Sequence, residues 1–262
     1  MSLTMAVTDS ATMLRRNLLH MRRYPSMTLM LLGQPVLFLL LFVFVFGNTL
    51  GAGIAGAGGG RADYLTYITP AIVAMAVASV ALGTAVGVAM DMTQGVVARF
   101  RTMPIARVSV LAGHVGGALV QTVLAAAVSI GVALALGYRP DADVADWLGV
   151  VGVVLLFALA LTWLTVALGV LADSVETASN TPMPLVLLPF IGSGFVPTDS
   201  MPVGVRWFAE YQPFTPVMET LRGLLAGNPS GGDAAQTVGW CVAITILSAT
   251  WAVRLYHRKV TR

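Results

Sequence analysis

Few side chains in this chain have types and spacing suited to chemistry. Ser193 sits between Gly192 and Gly194, a setting that can expose a serine nucleophile, but no histidine is near it in sequence and small-residue packing is the competing reading. The three histidines, His20, His114 and His257, are separated from most of the acidic residues, so no metal cluster and no set of nucleophile, base and orienter is apparent. His114 and Gln121 share one long apolar run. His114 reads as an interfacial group or a proton relay, and Gln121 as a hydrogen-bonding partner for a neighbouring helix or for cargo. The single cysteine, Cys241, cannot form a disulfide within the chain. The only lysine, Lys259, is followed by Val260, so the chain holds no P-loop for ATP. What remains is recognition rather than bond making. In GVVARFRTMPIAR, Gly95 punctuates a helix, Arg99 and Arg101 flank Phe100, and Met103, Pro104 and Ile105 form an apolar turn before Arg107. An apolar tip framed by arginines can dock into a cleft on a soluble partner. A basic loop that only enforces topology is the alternative.

The elements that must hold this segment are membrane helices. Hydrophobic residues make up 57% of the chain, charged residues 10%, and the mean hydropathy is +0.83. A bilayer core about 30 Å thick needs roughly 20 apolar helical residues. Six uncharged or nearly uncharged runs approach that length, at about 27–46, 68–90, 108–136, 147–172, 181–196 and 237–253. A charge at the centre of a span costs about 2.5–3.5 kcal/mol on insertion scales, so the charges gather at the ends. The prediction is an all-α polytopic membrane protein of six transmembrane helices forming one transmembrane domain over residues 1–262. The first apolar run is too long for a cleaved secretory signal and reads as a retained helix. Asn48 to Arg61 is glycine-rich and is expected to be a mobile loop. Gly83 to Gly87 and Gly113 to Gly117 are small-residue steps suited to close helix contacts.

Orientation follows from the basic residues. With both termini inside, eleven of the 15 fall on the cytoplasmic side and only Arg61, Arg139, Arg206 and Arg222 fall outside. The pI near 9.4 then reports topology and anionic headgroups, with no reason to invoke nucleic acid. Thr12 to Tyr24 sets Leu14, Leu18, Leu19 and Met21 beside Arg15, Arg16, Arg22 and Arg23, a pattern for an interfacial amphipathic helix. The spans lack the midplane carboxylates of ion-coupled carriers, which leaves ATP on another polypeptide as the energy source.

Three segments carry a resemblance. GVVARFRTMPIARVSVLAGHV resembles the cytoplasmic loop of type-2 ATP-binding-cassette (ABC) transporter permeases, in particular the daunorubicin-resistance branch. Residues 194 to 227, GFVPTDSMPVGVRWFAEYQPFTPVMETLRGLLAG, resemble the stretch between that family's fifth and sixth spans, and residues 22 to 47 resemble its approach to the first span. His114 departs from the arginine of many relatives. The resemblance implies a six-helix permease that pairs with a second, identical or homologous, permease subunit and binds two cytoplasmic P-loop ATPase subunits, which carry the ATP and Mg. It implies that Gly95 to Arg107 belongs to a coupling helix and that the basic N-terminal helix also faces the ATPase. It implies two short re-entrant helices after Val196, around Pro197, Pro202, Trp207, Phe208, Pro213, Pro216 and Arg222. Local chemistry agrees: Ser200 can cap one helix, and Thr215 with Pro216 can start another that ends at Gly227.

The function expected is the permease subunit of an ATP-driven exporter in the cell membrane, moving a hydrophobic drug or a lipid outward, with no enzymatic activity of its own. A non-transporting membrane assembly protein that recruits a cytoplasmic partner is the alternative.

Overall fold

The computed structural model describes residues 3–23, 25–56, 58–93 and 107–261. All regular structure among them is helical. In chain order the α-helices are α1 (Leu3–Arg23), α2 (Pro25–Leu41), α3 (Gly47–Ala55), α4 (Arg61–Thr93), α5 (Arg107–Ala135), α6 (Val144–Leu171), α7 (Val175–Asn180), α8 (Met183–Ile191), α9 (Val203–Tyr211), α10 (Phe214–Leu225) and α11 (Gly231–Thr261). A π-turn, Phe42–Phe46, joins α2 to α3, and a 3₁₀ turn, Thr198–Ser200, precedes α9. Five helices are long and apolar enough to cross a membrane: Thr28–Ala55, Arg61–Thr93, Ser109–Ala135, Val144–Leu171 and Gly231–Lys259. The chain is a multi-pass membrane protein.

The central helix is α4, whose most apolar window is 78% buried against 22% for α2–α3 and 17% for α11. Its small residues allow the close packing. Ala71, Ala74, Ala78 and Ala81 are fully buried, and α6 approaches so tightly that a Cβ on Gly169 would stand 2.6 Å from the Ala85 carbonyl oxygen. Gly169→Val is therefore expected to force α4 and α6 apart, at a cost of about 1–3 kcal/mol. Its thermal midpoint in detergent should fall by several degrees, while Gly152→Val, where nothing lies within 4 Å, should leave the midpoint unchanged. Equal midpoints for both variants would contradict the packing.

Two expectations change here. The run expected as a fifth span, about 181–196, is a broken element. Ser174 caps six-residue α7, a turn follows at Thr181 and Pro182, and nine-residue α8 rises only about 14 Å before Gly192. Prolines at 182, 184 and 189 remove backbone donors that an unbroken span requires. The glycine-rich stretch from Asn48 is likewise no loose loop: α3 runs through it to Ala55, and Gly56, at φ +81°, turns the chain. A Cβ on Gly51 would lie 2.0 Å from the Gly60 carbonyl oxygen and one on Gly59 2.3 Å from the Gly51 carbonyl oxygen, so these two glycines serve backbone contact, while Gly53, Gly58 and Gly60 have open space around them.

Both ends of the bundle are closed by recognisable devices. At one end Val88 of α4, Leu111 and Val115 of α5, Val166 and Val170 of α6, and Ala252 and Tyr256 of α11 form a single buried cluster. The stems of the 94–106 connection and the C-terminal part of α11 therefore share one face of the molecule. At the other end Asp143 and Asp146 form a capping box at the start of α6, and the Asp141 amide donates to the Leu225 carbonyl at 3.1 Å. Burial pushes the Tyr138 phenol up to about 12, with Asp141 adding to the effect. The ring packs there as a neutral group at physiological pH.

Candidate functional site: a clasp at the loop stems and a polar node at the opposite end

Gly95, Arg99, Phe100, Arg101, Pro104 and Ile105 lie outside the described residues, and Arg107 opens α5. The stems of that segment are described, and they converge on one carboxylate. Asp91, in the last turn of α4, accepts from Arg16 of α1 through both oxygens, Nη1 to Oδ2 at 3.0 Å and Nη2 to Oδ1 at 2.6 Å. His114 of α5 places Nε2 3.0 Å from Asp91 Oδ2. The Asp91 and His114 side chains are 13% and 11% exposed. A carboxylate held so far from water needs such partners, and the guanidinium fork supplies the bidentate geometry that a lysine would not.

Glycines make this approach possible. A Cβ on Gly113 would be 2.4 Å from Met13 Cβ, and one on Gly117 would be 3.1 Å from Asn17 Cβ. Gly113, Gly116 and Gly117 form the groove on α5 in which α1 lies, with Met13 buried against it. The small-residue step of α5 thus receives the N-terminal helix instead of another long helix. In α4, Gly83 faces Leu31 of α2, while Gly87 leaves space for the His114 ring, 3.8 Å from an added Cβ. The expected interfacial helix is longer than Thr12 to Tyr24 and is clamped along its Met13 and Arg16 side. Arg15, Leu18, Leu19 and Arg23 remain exposed.

Asp91 carried no motif in the sequence. Its signal was position: a lone acid one turn after Gly87 at the end of a long uncharged helix, where a carboxylate must find a partner. His114, expected as an interfacial group or a proton relay, is one arm of this clasp. Gln121 is half-buried on α5 and flanked by exposed Val120 and Leu124, away from the clasp.

At the opposite end, Arg222 of α10 gathers a second polar set. Its Nη2 donates to the Ser193 carbonyl at 3.0 Å and to the Tyr67 carbonyl at 3.3 Å, Nη1 pairs with Glu219 at 2.5 Å, and the guanidinium lies 4.1 Å from the Tyr67 ring centre. The Tyr67 hydroxyl donates to the same Ser193 carbonyl at 2.7 Å. Gln212 donates to the Leu188 carbonyl, and Gly192 and Gly194 have no room for a Cβ beside Gln212, Thr215 and Met218. Ser193 is therefore wedged between α4 and α10 as a structural hub through its backbone oxygen. Packing, the bland reading of Gly192 to Gly194, accounts for the contacts found. Pro216 is buried in α10, whose Phe214 meets Phe157 of α6 edge-on at 4.9 Å.

Helix starts differ in detail from expectation. Pro197 precedes the 3₁₀ turn, Pro202 occupies the N-cap of α9 with no side-chain cap, and Pro213 does so for α10. Ser200 lies two residues before the N-cap of α9, and its hydroxyl donates back to the Pro197 carbonyl at 2.7 Å within the 3₁₀ turn. Trp207, Phe208 and Tyr211 face outward from α9, a placement suited to a membrane interface. Removing the Arg222 guanidinium deletes two hydrogen bonds to carbonyls, each worth about 1.5–3 kcal/mol when well shielded and less at this partial exposure, together with the Glu219 ion pair. Arg222→Met is expected to lower the thermal midpoint in detergent, with Arg222→Lys falling between it and the unsubstituted chain. If all three melted together, the node would contribute nothing to the fold.

Comparison with known proteins gives a consistent result. Residues 9–226 match the family model described as ABC-2 type transporter. A daunorubicin resistance ABC transporter permease protein, DrrB1 of Streptomyces coeruleorubidus, is 29% identical over 97% of this chain and 88% of its own length. A probable doxorubicin resistance ABC transporter permease protein, DrrC of Mycobacterium tuberculosis, is 21% identical over 87% of this chain and 80% of its own length.

Proposed function

This chain belongs to the ABC-2 type transporter family, and on that premise we propose that it is the permease subunit of an exporter that moves a hydrophobic or amphiphilic, drug-like cargo outward across the cell membrane. The relatives named for daunorubicin and doxorubicin resistance support that cargo class. In this reading residues 1–262 form one permease domain with both termini cytoplasmic. Residues 175–191 make the fifth of six crossings as a broken helix, and α9 and α10 dip back into the outer leaflet. ATP and Mg belong to two separate P-loop ATPase subunits, and a second permease subunit completes the path.

The observation that carries the reading is the three-way clasp of Arg16, Asp91 and His114. It joins α1 to both stems of the arginine-flanked segment, so a push on that segment moves three helices as one body. ATP binding closes the ATPases, the segment carries the displacement into α4 and α5, and the polar node around Ser193 and Arg222 parts to release cargo. Differential affinity of the ATPase for the two arrangements supplies the work.

The test is purification of the tagged chain from its native membranes in mild detergent, followed by reconstitution with what accompanies it. A P-loop ATPase is expected, together with ATP-dependent accumulation of a fluorescent anthracycline in inverted vesicles. Absence of both the ATPase and the flux would overturn the exporter reading and leave a non-transporting assembly protein.

A further inference from the structure

The turn that carries the chain from α8 toward α9, Gly192 to Val196, lies between Pro189 and Pro197, so no helical ladder runs through it. It hangs on one carbonyl. The Ser193 oxygen accepts from the Tyr67 hydroxyl at 2.7 Å and from Arg222 Nη2 at 3.0 Å. The other bonds to α4 and α10 are long: the Ser193 amide reaches Thr215 Oγ1 at 3.4 Å, and the Tyr64 hydroxyl reaches the Phe195 carbonyl at 3.4 Å. Ring packing adds to the closure, with Phe195 stacked on Phe190 at 4.3 Å and beside Phe42 at 4.7 Å.

Around that carbonyl, three polar atoms go unmet. Ser193 Oγ, Gln212 Oε1 and Arg222 Nε are closed to water and have no hydrogen-bond partner among the described residues. Ser193 and Gln212 are each 4% exposed. Arg222 Nε can only donate, Gln212 Oε1 can only accept and Ser193 Oγ can do both, yet they do not meet. Hydroxyls packed nearby do find carbonyls: Thr69 bonds Leu65, Thr215 bonds Ala209 and Thr220 bonds Pro216. A dry, unpaired polar atom is costly and marks a place where a fold stores strain. Opening the turn breaks two good bonds to one oxygen and hydrates three groups that closure leaves dry.

We propose that residues 192–196 are a gate poised to open to water, held shut by the Ser193 carbonyl and the Phe195 ring and weakened by the unmet atoms of Ser193, Gln212 and Arg222. This rests on the exporter reading, which makes this end of the bundle the outer one. It adds where the node yields and which atoms set the cost of yielding.

Two hydroxyl deletions in one node should then act in opposite directions. Amide hydrogen exchange of residues 192–196 is read on the purified full chain in detergent. Ser193→Ala removes an unmet group and is expected to slow that exchange about fivefold, whereas Tyr67→Phe removes a donor to the Ser193 carbonyl and is expected to speed it by a similar factor. The thermal midpoint should rise by a few degrees in Ser193→Ala and fall in Tyr67→Phe. Exchange that is unchanged or faster in Ser193→Ala, or not faster in Tyr67→Phe, would overturn the proposal. With the ATPase present, Ser193→Ala should also export more slowly; undiminished export alongside slowed exchange would overturn the gate as well. An unsubstituted chain without ATP-driven flux would count against the exporter reading alone, because the exchange measurement needs no transport.

Discussion

Asp91→Ala is expected to insert normally, retain its ATPase partner and lose ATP-driven export by at least an order of magnitude. The carboxylate bonds both Arg16 and His114, and its loss removes the polar link between α1 and the stems of the 94–106 segment while leaving α1 seated on the α5 glycines. Arg16 is 39% exposed and can turn to water, whereas His114, at 11%, is left in a nearly closed pocket without its acceptor. Losing hydrogen bonds to a charged group costs about 1–3 kcal/mol, and a coupling free energy of that size corresponds to roughly 5–150-fold in the effect of one site on another. Asp91→Asn keeps an acceptor oxygen and should show a smaller loss. Asp173→Asn is the control, since that carboxylate is 95% exposed and pairs with Lys259, outside the clasp of Arg16, Asp91 and His114. Export by Asp91→Ala within twofold of the unsubstituted chain, measured as anthracycline accumulation in inverted vesicles, would rule the clasp out as a transmission element.

How much of this was legible in advance divides along a physical line. The five long helices could be read because a span is defined by a one-dimensional property, an apolar length without charge, and Ile68 to Met90 or Trp147 to Ala172 satisfy it without reference to any neighbour. The 181–196 run satisfied the composition but not the backbone condition, since three prolines within eight residues break the hydrogen-bond ladder whatever the side chains. The glycines from Gly47 to Gly60 misled for the opposite reason. Glycine signals a flexible loop when its freedom is spent on solvent, and a close contact when another backbone lies against it, and only the fold decides between these. The clasp was invisible because Arg16 and Asp91 are 75 residues apart. In sequence each is one more interfacial charge, and their pairing depends on Gly113 and Gly117 admitting α1 to the surface of α5.

Reversing the arginines of the docking segment should have the other large effect, and a different one. Arg99→Glu with Arg101→Glu is expected to abolish recovery of the ATPase with the permease and, with it, all ATP-driven export. In the proposed reading Arg99 and Arg101 meet acidic groups on the ATPase; close charge pairs at a docked interface can each contribute a few kcal/mol, so inverting two of them would replace attraction by repulsion. Topology should survive, because nine of the eleven basic residues assigned to the inner face in the proposed orientation remain and acidic residues weigh little in orientation. A permease that kept both its ATPase and its flux after this reversal would leave the segment as a topology signal only. The two variants also separate docking from transmission: with Asp91→Ala the motor should remain bound and turn over without moving cargo, whereas with the double reversal it should be absent. If Asp91→Ala instead shed the ATPase as completely as the reversal does, α1 would belong to the docking surface itself, with Arg16 holding it in place for the motor rather than passing on the motor's stroke.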